Sequence, residues 1–132
     1  MIFPYREITP KIFRPIIQVV LKNENKFAIY FVLVDSGADR CIFSIELAKA
    51  LQIKLKPKKI ILKGIAKEKI IGYSGKVEIS IDGVSYDLTA IFADIGEFGH
   101  GILGQKGFFD HFDVKLSYQR KIIEITKSNS IN

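Results

Sequence analysis

Apolar residues fall along this chain in short alternating runs cut by polar turns, and their spacing stretches clearly to a helical period only once. From Pro15 onward, IIQVVL (16–21) is followed by the polar turn KNENK and then by FAIYFVLV (27–34), the pattern of two antiparallel strands with a short connection. SIELAKALQI (44–53) sets Ile45, Leu47, Ala48 and Leu51 at near-helical spacing, which predicts a helix with Ser44 as its N-cap and Glu46 favourably placed in the first turn. Beyond Pro57, IILKGI and KIIGYSG read as strand arms around a glycine-containing bend. KVEISI alternates, Asp82-Gly83 is a tight-turn dipeptide, and VSYDLTAIF is the returning strand. GHGILGQKGFFDHF (99–112) joins a glycine-bounded apolar triplet to a short helix candidate, and VKLSY and KIIEI form a last strand pair across QRK. The opening MIFPYREITPKIF has two prolines and no period, which predicts an extended arm over residues 1–13. The polar end predicts a frayed tail over 127–132. Many short strands with one or two short helices, and no repeat or linker between them, predict a single all-β, barrel-like domain over residues 1–132.

A length of 132 residues with 48% hydrophobic composition suits one domain with its own core. The apolar runs stay far below the roughly 18 residues of a membrane-spanning helix, so they read as interior strands and no membrane partner is expected. MIFPYREI lacks the charged and apolar regions of a signal peptide, which makes a cytoplasmic location the expectation. Cys41 is the single cysteine, and with His100 and His111 it makes no metal-ligand spacing, so neither a metal nor a cofactor is expected. Cys41 itself reads as a small apolar packing side chain. The net charge of +6, densest at KLKPKK (54–59), permits an anionic partner. Aromatic residues are not interleaved there, so solvated surface lysines explain the charge and no nucleic acid is expected.

FVLVDSGADRC (31–41) carries the chemistry, because an apolar strand ends directly in an acid, a hydroxyl and a glycine. On its own, Asp35-Ser36-Gly37 is an ordinary Asx-type turn, with Asp35 accepting from a nearby amide. Its surroundings say more: Ala38-Asp39 and Ile42-Phe43 follow, and the triplet Ile102-Leu103-Gly104 lies downstream. Together these residues resemble the retroviral-type, or retropepsin-like, aspartic proteases, whose pattern is an apolar strand, D-T/S-G-A, a glycine-containing flap and then apolar-apolar-Gly. Arg14-Pro15-Ile16 adds to the resemblance, which runs from Arg14 to KIIEI.

The resemblance implies an acid-protease barrel that supplies half an active site and is completed by a two-fold symmetric homodimer, with Asp35 meeting the Asp35 of a second copy. Two carboxyl groups about 3 Å apart cannot both ionise cheaply, so they share a proton and serve as one acid and one base. A water held between them then adds to a peptide carbonyl without a covalent enzyme intermediate. By the same resemblance, Ser36 bonds across the dimer axis and Gly37 supports the carboxylates and contacts substrate. Ala38, Ile102, Leu103 and Gly104 support the loop, with the triplet packed beneath it. Asp39 resembles a binder of substrate backbone, and Arg14 resembles an arginine that pairs with that acid across the interface. Ile42 is a pocket wall or, equally, a core residue beside Phe43. The segment from Lys63 to Tyr73 falls at the flap, with Gly64, Ile65 and Ala66 over the substrate and Gly64 and Gly72 as hinges. Where the family often has an arginine after the triplet, this chain has Gln105-Lys106. The function implied is an aspartic endopeptidase acting on peptide or protein substrates. The alternative is a non-catalytic module that keeps the fold for peptide binding or dimerisation.

Overall fold

The computed structural model describes residues 1–63, 69–96 and 100–128. In chain order they form β1 (Ile2–Pro4), β2 (Arg6–Thr9), β3 (Ile12–Arg14), β4 (Ile16–Asn23), β5 (Lys26–Val34), β6 (Ile42–Ser44), α1 (Ile45–Ala50), β7 (Ile60–Lys63), β8 (Lys69–Ile81), β9 (Val84–Ala93), β10 (Gly101–Leu103), β11 (Phe112–Ser117) and β12 (Ile122–Lys127). The main sheet runs β4-β5-β10-β6-β9-β8-β7, and β4 pairs again with β8, so the sheet closes on itself with β7 outside the ring. Closure is possible because β8 is thirteen residues long: its first part pairs with β7 and its last part, Glu78 to Ser80, pairs with Lys22 to Val20 of β4. A closed sheet leaves fewer unpaired edges, which is how all-β domains avoid sticking to one another.

The period-two runs become strands with one buried face. Val32 and Val34 of β5 point inward while Phe27 and Ile29 are exposed. The β8–β9 turn uses Asp82 at φ 47° and Gly83 at φ 86°, the two positive values that a two-residue hairpin of this type demands. Phe43, Phe92, Phe108, Leu21, Ile79, Ile81 and Leu103 have essentially no exposed surface. Each such side chain contributes about 1.5–3 kcal/mol over an exposed one. Phe43 lies edge-on to both Tyr30 and Phe92, with ring centroids 5.8 and 5.9 Å away. No polar or charged residue is buried among the described residues.

Ser44 caps α1 through its hydroxyl, which accepts from the Glu46 N–H at 3.3 Å. The helix is shorter than its apolar spacing predicts, because Gln52 turns left-handed at φ 53° and lets Leu51 and Ile53 drop into the core. The expected short helix after β10 is a series of turns. Gly107 at φ 108° interrupts it, and within the stretch only the Phe112 N–H to Phe108 carbonyl bond has α-helical spacing.

The first thirteen residues carry their own pairings. β1 lies against β12 in the three-stranded sheet β1-β12-β11, while β2 and β3 form a separate hairpin. At the other end Lys127 pairs with Phe112, and the Ser128 N–H donates to the His111 carbonyl; residues 129–132 of the expected tail lie outside the described residues.

Candidate active site

Asp35 follows β5 on a turn that two separate parts of the chain hold in place. The Val34 N–H donates to the Pro15 carbonyl at 2.9 Å, and the Asp35 N–H donates to the Leu103 carbonyl at 3.0 Å. Within the turn, the Gly37 N–H donates to Asp35 Oδ1 at 2.9 Å and the Ala38 N–H to the Asp35 carbonyl at 3.2 Å. This is the Asx-type turn legible in the sequence, and it leaves Oδ2 without a hydrogen-bond partner among the described residues. Asp35 is half-buried, while Ser36, Gly37 and Asp39 are exposed. Gly37 does not use a left-handed backbone; a Cβ there would stand 3.3 Å from Asp35 Oδ1. Glycine therefore keeps the space beside the carboxylate open.

The chain leaving β10 fastens the far side of the loop. The Gln105 N–H donates to the Ala38 carbonyl at 2.8 Å and the Lys106 N–H to the Asp39 carbonyl at 3.0 Å. Gln105 Nε2 adds a third bond, to the Ser36 carbonyl at 2.9 Å. Gly104 makes this approach possible, since a Cβ on it would lie 2.7 Å from the Ala38 oxygen and against the Arg40 backbone. The Gly104 N–H donates to Cys41 Sγ at 3.4 Å, and the thiol in turn reaches the Lys106 carbonyl at 3.6 Å. Burial is the main cause that pushes the Cys41 thiol up to about 11, with Asp110 adding to it and the Gly104 amide and Arg40 opposing it. Cys41 is thus an uncharged strut at neutral pH, which agrees with the apolar packing role read from the sequence.

The expected supports divide between two faces. Leu103 is fully buried and lends its carbonyl to Asp35, and Gly104 sits under Ala38 and Arg40. Ile102, expected beneath the loop with them, takes the opposite face of β10, because neighbouring strand residues alternate. There it stands in register with Leu33 of β5 on one side and Ile42 of β6 on the other. Leu33, Ile102 and Ile42 are all half-buried, so they make an apolar row beside the loop, and Phe43 alone of the Ile42-Phe43 pair belongs to the core. The sequence reading missed Leu33. Its signal was the alternation of β5, in which Leu33 has the parity opposite to Val32 and Val34.

Arg14 is exposed on β3 opposite Arg6, and Pro15 ties it to the strand end that carries Asp35. Neither the Arg14 guanidinium nor the Asp39 carboxylate has a hydrogen bond or ion pair among the described residues, so one chain does not pair them with each other. Arg14 borders a cleft of about 280 Å³ with Arg6, Glu7, Ile8, Ile16, Phe31 and His100. A larger cleft of about 430 Å³ lies near the β4–β5 turn, among mixed charges that include Lys22, Lys54, Lys76, Glu24 and Asp87. Neither is lined by Asp35, which is half-buried.

β7 and β8 pair from Ile60↔Gly72 to Lys63↔Lys69 and form the two arms of the expected flap. Gly64, Ile65 and Ala66 lie outside the described residues. Gly72 is not placed as a hinge: it pairs with Ile60 on one side and Ala93 on the other, and a Cβ there would press on Ile91. No group of three or more His, Cys, Asp or Glu among the described residues is arranged to hold a metal ion.

A family model described as aspartyl protease matches residues 25–106, a span that opens at the β4–β5 turn and closes at Lys106. No curated protein matches the chain significantly. Among solved structures, a retropepsin-like aspartic protease from Rickettsia conorii superposes with a TM-score of 0.59 at 16% identity, covering 95% of this chain and 88% of that one. The retroviral protease-like domain of Ddi1 from Leishmania major gives 0.54 at 15% identity over 87% and 89%. The EIAV protease, in complex with the inhibitor HBY-793, gives 0.51 at 24% identity over 70% and 82%. These structures share the fold of this chain.

Proposed function

Because the chain belongs to the retropepsin-like family of aspartyl proteases, we propose that it is an aspartic endopeptidase whose active site forms when two copies bring their Asp35 carboxylates together. The observation that carries this reading is the Asp35 loop itself. The strand end that carries its acid is held by backbone bonds from β10 and from Pro15, yet among the described residues one carboxylate oxygen has no hydrogen-bond partner. A second loop of the same shape supplies what is missing. With two carboxyl groups sharing one proton, the ionised member takes a proton from the water between them while the protonated member polarises the scissile carbonyl. Cleavage is expected to peak on the acid side of neutrality.

The other residues fit around that centre. Ser36 is exposed at the loop apex, where its hydroxyl is available to the partner loop. Arg14 and Asp39, each without a partner among the described residues, are suited to bond one another across the two-fold axis, which an isologous interface would do twice. Leu33, Ile102 and Ile42 offer an apolar wall for a side chain of an extended peptide.

The test is cleavage of a peptide library by wild type and by Asp35→Asn, with the association state measured for both. The proposal expects dimers in both and a loss of roughly 10³-fold or more in the variant, the scale of a removed acid–base group. Proteolysis retained by Asp35→Asn would sink it. A chain that stays monomeric at micromolar concentration and cleaves nothing would instead support the non-catalytic module.

A further inference from the structure

We propose that the side chain of Gln105 is a positioning residue for Asp35, acting through the single peptide group between Ser36 and Gly37. Gln105 Nε2 donates to the oxygen of that group at 2.9 Å, and the N–H of the same group donates to Asp35 Oδ1 at 2.9 Å. The group is planar, with its oxygen and its N–H fixed relative to one another, so holding one end aims the other. A peptide that accepts at oxygen is also polarised to donate more strongly at nitrogen. The amide of Gln105 is therefore in series with the carboxylate, two hydrogen bonds and one rigid plane away.

The neighbouring anchors do not do this work. The Gln105 and Lys106 N–H groups fasten Ala38 and Asp39, beyond Gly37, and the Leu103 carbonyl fastens the N–H of Asp35, before Ser36. The plane between is exposed, carries a glycine on one side, and among the described residues its oxygen is held only by the Gln105 side chain. Rotated by half a turn, it would aim its oxygen at the carboxylate in place of its N–H. The inference rests on reading Asp35 as the reacting acid, but the hydrogen-bond series itself does not require activity.

Three variants separate the side chain from the backbone, since each keeps the Gln105 N–H bond to Ala38. Gln105→Met keeps the length and removes the donor, Gln105→Glu turns donor into acceptor, and Gln105→Arg restores a donor. With a cleaved peptide, kcat should fall about five- to tenfold in Gln105→Met, the rate equivalent of one neutral hydrogen bond. It should fall further in Gln105→Glu and recover in Gln105→Arg, with KM within about twofold throughout. The Gly37 amide proton resonance and its hydrogen-exchange rate should move in Gln105→Met and return in Gln105→Arg. A Gly37 amide unchanged in Gln105→Met overturns the proposal, whatever the activity. So does a loss of kcat that follows the urea midpoint in all three variants. If the amide moves as expected but neither wild type nor any variant cleaves peptide, the relay stands and the protease reading fails.

Discussion

Beneath the Asp35 loop the carbonyl of Leu103 and the amides of Gly104, Gln105 and Lys106 are all engaged, and Cys41 and Leu103 have no exposed surface; above it Ser36, Gly37 and Asp39 are exposed, and Asp39 and Arg14 lack partners among the described residues. The difference separates what one chain needs from what it merely offers. A buried polar group without a partner costs stability, and these backbone groups are satisfied within the fold, while Arg40 Nε is a buried side-chain nitrogen left without a partner among the described residues. Exposed groups are satisfied by water, so nothing in the single chain demands the polar arrangement above the loop. Its use has to come from outside, and in the proposed dimer it comes from a second loop.

If that division is right, the underside should respond in stability and the outer side in association. Leu103→Ala should cost about 2–5 kcal/mol in urea unfolding, the range for emptying a core site. A loss below about 1 kcal/mol would mean that the loop is not held from below. Gly104→Ala should cost about 1–3 kcal/mol, because the added carbon meets backbone rather than a flexible side chain. Arg14→Asp and Asp39→Arg should each leave the unfolding free energy of the monomer within about 0.5 kcal/mol. Each should weaken dimerisation by about tenfold or more in equilibrium sedimentation, as loss of an interfacial charge pair does, and the double swap should restore it. Unchanged association in both singles would remove the pair from the interface. The smallest effect belongs to Cys41, which should resist thiol reagents at pH 8 until the protein is unfolded. Its thiol is raised in the folded state, so the unfolded chain loses that proton first; stability should be level below about pH 9 and fall as pH climbs towards about 11. Cys41→Ala should flatten that slope.

The sequence made the paired strands legible where alternation was uninterrupted, as in β4, β5 and the Asp82-Gly83 hairpin. It hid β8, because Gly72 and Gly75 look like breaks. In the fold they are places where strands and side chains come close: a Cβ at Gly75 would lie 2.8 Å from Leu55 and 2.9 Å from Ile53. The pairing of Ile2 with Glu124 had no local signal at all, since MIFP carries no period and its partner is at the far end of the chain. At the site, Asp35, Ser36 and Gly37 stood out because their chemistry is compact in sequence. Leu33 did not, and neither did the role of the Gln105 side chain, because each matters only through a register or a hydrogen bond to a distant segment. The substitution of glutamine where the family often has arginine drew the eye to position 105, and only the geometry showed its amide reaching the Ser36 carbonyl.

That reach has a consequence for how the molecule is made. The side chain that steadies the acid's turn lies 69 positions further along the polypeptide. At ordinary translation speeds of about 5–20 residues per second, roughly 4–14 s pass between making the acid and making its clamp. During that interval the growing chain carries Asp35 on a turn that lacks the bonds from Leu103, Gln105 and Lys106.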